Sequence, residues 1–355
     1  MHINGGSPTN HDGKYINREY VAMSHTLLLQ GGTIMYKYAI RRILIFVPML
    51  FLLTVIVFGL AKAAPGDPFT GKILDPNIDP EVYEQRKEAL GLNDPVPVQY
   101  LNWISSIAKG DLGESITYNG RSVQDLISER LSNTVYLGLF ALTITLMVSI
   151  PIGLYSARHP YSLLDYSATT FGFLGLAIPN FFFGLIAIYV FAINLGWFPS
   201  QGTISNADAT GFTAFLDRLH HMILPGLTLG LGGTATYMRY MRSEVLDVLG
   251  SDYIRTAKAK GMSDTSILYK HTLRNAIIPI ITLLGFEFGA LLSGAVITEQ
   301  VFNYPGLGTL FIKSIINRDY PVVMAINLLL GVTILVGNLL ADMLYSVADP
   351  RIRYE

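Results

Sequence analysis

The chain has 355 residues, 51% of them hydrophobic and only 14% charged, with a formal net charge of −1 and a mean hydropathy of +0.41. That balance lies outside the usual range of soluble domains and points to membrane embedding, where the net charge matters less than the side on which each Lys and Arg falls. The absence of cysteine excludes disulfides, thiolate metal sites and cysteine nucleophiles.

Residues 1–34 are polar and rich in Gly and Asn, without an apolar core long enough for a signal peptide, and they read as a disordered extension with Met35 as a candidate start. The segment 35–61 carries the first span. Within it Ile43 to Ala61 runs nineteen residues without a charge behind Lys37, Arg41 and Arg42, enough to cross ~30 Å of hydrocarbon. A long loop, 62–133, follows and holds eleven Asp and Glu. Its spacing of Val98, Leu101, Ile104 and Ala108, with Trp103 nearby, predicts a short amphipathic helix, either at the membrane surface or in a small cap on the bundle.

The region 134–349 reads as the membrane core, with spans at Thr134–Tyr155, Ala168–Ile193, Met222–Met238, Ile277–Thr298 and Val322–Tyr345, and a short tail, 350–355, after it. The fourth of the six spans is short and carries Gly226, Gly230, Gly232 and Gly233, which weaken a helix but let backbones approach closely; the alternative is a re-entrant segment. With both termini inside, thirteen Lys and Arg lie in or near cytoplasmic segments and three, Arg218, Lys313 and Arg318, lie in short external loops. That asymmetry favours six spans over the re-entrant arrangement.

Chemistry-bearing motifs are few. Gly66 to Lys72 spaces like a phosphate-binding loop, but Ile73 stands where a magnesium-binding hydroxyl is needed, and the segment follows a span rather than a strand. Gly230-Leu231-Gly232-Gly233 imitates a dinucleotide fingerprint inside an apolar stretch, where helix packing explains it better. His220-His221 stands without a carboxylate at ligand spacing, and no zinc-protease or serine-hydrolase motif is present. Glu287 lies in mid-span, where an acidic residue costs ~3 kcal/mol, so it either lines a translocation pathway or is a protonated, hydrogen-bonded structural residue. Asn338 and Asp342 are one turn apart in the last span and are candidates to face inward.

The stretch Ser251 to Pro279, inside a loop at about 242–276, is the most specific signal. Ser251 is placed to cap a helix through Tyr253, Ala257 and Lys260 that stops at Gly261, and Ser263 to cap a second with Asp264 in its first turn. An ordinary basic loop accounts for the charge but not for the caps and the hinge. Arg255-Thr256-Ala257-Lys258-Ala259-Lys260-Gly261, running on to Ile278-Pro279, resembles the cytoplasmic loop of bacterial ABC-importer permeases, with Arg255 and Thr256 where the common pattern has Glu and Ala. Ala64 to Pro68, Leu90 to Gly113 and Glu299 through Phe302, Pro305, Gly306 and Gly308 agree with the dipeptide, oligopeptide and nickel branch.

The resemblance implies an all-α polytopic membrane protein of the binding-protein-dependent permease (MetI-like) fold, non-catalytic, in a bacterial inner membrane. Its expected partners are a homologous second permease subunit, two cytoplasmic ATPase subunits that bind ATP and magnesium, an extracytoplasmic peptide-binding protein and membrane lipid, with no nucleic acid. This chain itself would hold no cofactor or metal. The resemblance places ATPase coupling at Tyr253, Arg255, Ala257, Lys258 and Gly261, and an external gate or loop motif at Glu299, Phe302, Pro305 and Gly306; the pathway candidates remain Glu287 and Asn338. Peptide is the expected cargo, with nickel chelate or glutathione as alternatives within the fold. An ion-coupled carrier would show an inverted repeat, and an intramembrane hydrolase would need a nucleophile and base that Glu287 and Asp342 do not supply.

Overall fold

The computed structural model describes residues 44–64, 80–89, 91–206 and 208–348. Residues 1–43, the phosphate-loop imitation at Gly66–Lys72 and the tail 350–355 lie outside the described residues. Of one compact unit, Met1–Phe51 with Pro350–Glu355, only 44–51 are described, as the start of helix α1 (Leu44–Ala63). All that follows concerns the second unit, Leu52–Asp349.

After α1 come α2 (Pro80–Ala89), α3 (Val96–Ala108), α4 (Val123–Arg158), α5 (Leu163–Ala177) and α6 (Asn180–Ala187), the last extended by a π-helical stretch Ile188–Asn194. The 39-residue α7 (Gly211–Leu249) leads to α8 (Asp252–Ala259) and α9 (Asp264–Ser266), then a π-helical turn Ile267–Thr272 and α10 (Leu273–Ala276). The chain ends with α11 (Ile278–Gly294), α12 (Val296–Val301), α13 (Leu307–Ile316) and α14 (Tyr320–Ala348). The described residues contain no strand, only an isolated bridge between Glu114 and Ser122.

Two helix pairs form the frame, and both depend on small residues. On α7, a Cβ added to Gly230 would sit 2.7 Å from the Ala141 carbonyl oxygen of α4, and one added to Gly226 would strike the Phe140 ring. The approach is reciprocal: a Cβ on Gly153 of α4 would lie 2.8 Å from the Met238 carbonyl. Contact this close lets the Thr145 hydroxyl of α4 donate to the Gly230 carbonyl of α7 at 2.7 Å. Gly232, on another face, leaves room for the Asn180 side chain at the start of α6. The glycines that imitate a nucleotide fingerprint are therefore packing positions.

The second pair joins α11 to α14. Gly285-x-x-x-Gly289 on α11 faces Gly337-x-x-x-Ala341 on α14, and a Cβ on Gly337 would come within 2.5 Å of Gly289 Cα. Small residues one turn apart on both helices bring the backbones together in lipid, where no hydrophobic force drives association.

The span boundaries differ from those expected. Leu44–Ala63, Val123–Arg158 and Tyr320–Met343 are unbroken helices long and apolar enough to cross a membrane. The expected span Ala168–Ile193 is broken: Leu163–Gly175 and Asn180–Asn194 meet at 100°, because Ile178, preceding Pro179, takes extended backbone (ψ 124°) rather than helix. The expected span Ile277–Thr298 is bent by 52° between Ile278–Glu287 and Leu291–Val301, with Gly289 at the break. Met222–Met238 lies inside the continuous α7, which is not among the helices apolar enough to count as a membrane span.

In the first loop, α3 covers Val98 to Ala108, but its packed face is not the apolar spacing that predicts it. Tyr100 and Trp103 stack against Phe58 of α1, with ring centroids 5.4 and 5.7 Å away, and the Tyr100 and Thr54 hydroxyls hydrogen-bond at 2.9 Å. Val98 and Leu101 are left exposed. Residues 115–117 are fastened to the α13–α14 turn by Asp319, which is fully buried and accepts from the Ser115 hydroxyl and from the Ile116 and Thr117 amides at 2.5, 3.1 and 3.0 Å.

Gly289→Leu is expected to force α11 from α14 and destabilise the protein by about 1–3 kcal/mol, the usual cost of overpacking. Gly175→Ala, where an added Cβ meets nothing within 4 Å, is the matched control. Thermal unfolding of both variants in detergent checks this, and a Gly289→Leu protein that melts with the control refutes the packing account.

Candidate functional site

At the end of the bundle where α7 finishes, Ser251, α8, Gly261 and α9 form the expected pair of short helices. Ser251 occupies the N-cap position, but its hydroxyl donates to the Val248 carbonyl at 2.6 Å and caps nothing. It closes the turn out of α7 instead. Ser263 does cap: its hydroxyl accepts from the Ser266 amide at 3.4 Å. Between them Gly261 takes φ +76°, a left-handed conformation that ends α8 at low cost.

The helix α8 is strongly two-faced. Ile254 and Ala257 are buried, and with Ile267 they form a small core closed by Val248, Leu249 and Met262. Tyr253, Arg255, Thr256 and Lys258 are exposed, and Arg255 pairs with Asp252 one turn back. The five predicted coupling residues thus divide by face. Ala257 holds α8 to the end of α7, Gly261 sets the turn, and Tyr253, Arg255 and Lys258 point away from the chain.

At the opposite end, Glu299 is fully buried, without a cationic partner in hydrogen-bonding contact, and organises its whole loop. Its Oε1 accepts from the Thr134 hydroxyl of α4 at 2.6 Å, and its Oε2 accepts from the Gly308 and Thr309 amides at 2.7 and 3.2 Å. Thr134 in turn accepts from the Leu307 amide at 2.8 Å. The first three amides of α13 are therefore satisfied from elsewhere in the chain, by a carboxylate at the positive end of the helix.

The rest of the predicted loop motif serves this arrangement. Gly306 has no space for a Cβ, which would collide with the Glu299 carboxyl group. Phe302 is buried among Leu137, Ala187 and Leu224, and the Pro305 carbonyl accepts from the Asn133 amide at 2.9 Å. Burial, with the Glu299 carboxyl beside it, pushes the Tyr304 hydroxyl up to about 12.

The pathway candidates Glu287 and Asn338 lie on α11 and α14. Glu287 falls between Gly285 and Gly289 and is exposed on the surface of this chain. Asn338 and Asp342 are half-buried. The expectation that no carboxylate accompanies the histidine pair is corrected: Asp217, one turn before the buried His221, lies 3.4 Å from its Nδ1. Asp217 mainly holds the preceding loop through the Ser205 and Asn206 amides, and the described residues contain no group of three or more side chains able to hold a metal ion.

Residues 149–354 match the family model described as binding-protein-dependent transport system inner membrane component, and residues 35–138 match the N-terminal component of the same system. The chain belongs to this family. This inner membrane component is 49% identical over 320 residues to the oligopeptide transport system permease protein AppB of Bacillus subtilis, covering 90% of this chain and 100% of that one. It is 40% identical to a putative peptide permease protein of Brucella suis over 90% of this chain and 99% of that protein. It is also 38% identical to the glutathione transport system permease protein GsiC of Escherichia coli K12, over 90% and 100%. Among solved structures, the MetNI methionine ABC transporter in an inward-facing conformation aligns with a TM-score of 0.51 at 14% identity, covering 64% of this chain and 97% of that one, a likeness of fold.

The transport component uses residues that the sequence motifs do not mark: Thr134 as relay to Glu299, Asp319 as anchor of the first loop, and the facing small-residue pairs of α11 and α14. The Gly-x-x-x-Gly spacing is a readable signal for the last of these. For the others only proximity in space identifies the partner.

Replacing Glu299 by Ala strands two amides and a hydroxyl, so Glu299→Ala is expected to cost about 3 kcal/mol, whereas Glu299→Gln, which keeps an acceptor for the amides, costs less. Hydrogen exchange at Gly308 and Thr309 gives the readout. Protection that survives in the alanine variant contradicts the capping role.

Proposed function

We propose that this chain is one membrane subunit of an ATP-driven importer of short peptides, forming half of the pathway beside a homologous permease. Two cytoplasmic ATPase subunits bind ATP and magnesium and supply the energy, and an extracytoplasmic binding protein delivers the cargo. The observation that carries the reading is the 49% identity to an oligopeptide permease along that protein's full length. The exposed face of α8 supports it: Tyr253, Arg255 and Lys258 form a compact edge suited to a groove on an ATPase, a helix-in-groove contact.

The cargo chemistry is consistent with this. A peptide has charged ends and amides that cannot be left unsatisfied in hydrocarbon, so it needs a polar path between subunits. Glu287 favours such a path at α11, because a carboxyl group exposed in mid-span is costly against lipid and stable against water or a second subunit. No bond in the peptide changes, and no residue of this chain acts as a catalyst. The 38% identity to a glutathione permease keeps a second cargo within the same reading, glutathione being a modified tripeptide.

The test is uptake of labelled peptides by proteoliposomes containing the chain with the products of its neighbouring genes. ATP-dependent accumulation is expected, with glutathione as the competing substrate. Peptide movement by the chain alone along an ion gradient overturns the proposal.

Two substitutions examine the coupling face. Gly261→Pro cannot adopt φ +76°, and Lys258→Glu reverses a charge on the outward edge without touching the Ile254–Ala257 core. Each is expected to lower transport by about tenfold, equivalent to ~1.4 kcal/mol of lost coupling, while the chain still inserts. Wild-type uptake in both variants removes α8 as the docking element.

A further inference from the structure

One ion pair outside every motif ties the end of α7 to α5. Arg242, seven residues before the end of α7, donates through Nε and one terminal nitrogen to the two oxygens of Asp165, at 2.9 and 3.0 Å. Asp165 is almost completely buried in the first turn of α5. Its Oδ2 also accepts from the Tyr161 amide at 2.9 Å, and its own amide donates to Ser162, which caps α5, at 3.2 Å. The turn between α4 and α5, in which Tyr161 is left-handed at φ +64°, is thus folded around the carboxylate that Arg242 grips.

The pair occupies a particular place in the chain of contacts. The last residues of α7, Val248 and Leu249, pack on Ile254, Ala257 and Ile267 of the α8 segment. Higher on the same side, α5 meets α7 through nonpolar and ring contacts: Gly172 faces Ala235 and Met238, and Arg239 lies 5.6 Å from the Phe173 ring centroid. Between these helices and α4 and α6 lies an apolar cleft of about 520 Å³ bordered by Phe171, Gly175, Phe183 and Leu231. Beyond the cleft the chain turns through 100° into α6. A displacement of α8 reaches α7 by direct packing, and of the contacts that carry it on to α5 the ion pair is the one with fixed direction.

We infer that Asp165 and Arg242 are a positioning pair that makes α5, and with it the bent α5–α6 span, move together with α7 when the α8 segment is displaced. The inference rests on α8 being the site of ATPase coupling. A two-toothed guanidinium–carboxylate contact suits the task because it fixes orientation as well as distance, and a lysine cannot reproduce it. Apolar contact across the cleft alone allows the two helices to slide.

The experiment uses the assembled importer in proteoliposomes and reads peptide transported per ATP hydrolysed. Wild-type uptake is the control that separates this inference from the proposed function: without it, the function fails first. Asp165→Asn and Arg242→Lys are expected to retain ATP hydrolysis and to lower the transport-to-hydrolysis ratio by about tenfold. Because the chain contains no cysteine, the double variant D165C/R242C can be bridged with a bifunctional thiol reagent; bridging is expected to restore the ratio. Transport and hydrolysis falling in parallel with an unchanged ratio assign the pair to stability alone and overturn the inference. So does loss of ATPase co-purification that bridging fails to repair, or a wild-type ratio in both single variants.

Discussion

Backbone-to-backbone contact between α4 and α7 is the constraint on which the remaining structure depends. Lipid tails are as apolar as leucine, so two helices in a bilayer gain nothing from hiding apolar surface and must gain from close van der Waals contact and interhelical hydrogen bonds. Gly153 on one helix and Gly226 and Gly230 on the other remove the side chains that would hold the axes apart, and only at that separation can Thr145 reach a carbonyl on α7. Held this way, α7 is a single rod of 39 residues, about 58 Å long, with Asp217 near one end and the α8 core at the other. The loops at each end are attached to helices already fixed by this contact.

Much of this was legible in the sequence, and the reasons for success and failure are physical. Apolar runs mark the unbroken helices α1, α4 and α14 because hydropathy accumulates along a continuous segment. The same measure cannot register the break at Ile178–Pro179, since both halves are equally apolar; the signal there is the proline and its effect on the preceding residue. The caps and hinge of the α8 segment are local chemistry, so Ser263 and Gly261 could be placed. Ser251 could not, because a serine next to a helix start can serve either the helix ahead or the turn behind, and Val248 wins. The motif groups Ala257 with Tyr253 and Lys258, yet the helical period puts it with Ile254 on the buried side.

The two carboxylates singled out in and beside the fifth apolar segment illustrate what sequence position leaves undecided. Glu287 and Glu299 both follow apolar stretches, and both carry the same desolvation cost if hidden. Glu299 is hidden completely and offset by three donors, two of them amides that would otherwise be unpaired at the start of α13. Its carboxylate therefore stabilises the loop at Phe302–Gly308, and a gating role for that loop would have to move it as a preassembled piece. Glu287 is exposed on this chain, so the chain alone does not finish its environment.

Completion from outside is the property shared by Glu287 and the outward edge of α8. Tyr253, Arg255 and Lys258 stand on a helix whose opposite face is fully committed to the end of α7. A force applied to that edge cannot be absorbed by rotation of α8 about its axis, because Ile254 is fully buried and Ala257 nearly so. It passes into Val248 and Leu249, hence into α7, and through the close glycine contacts into α4. Relative motion is left to the element with the sharpest break, the α5–α6 span at its bend. The sequence concentrates stiffness where glycines meet backbone, Gly289 among them, and freedom where Pro179 interrupts a helix. The proposed drive from the α8 end would require that distribution, because a uniformly rigid bundle could not open and a uniformly soft one could not be pushed.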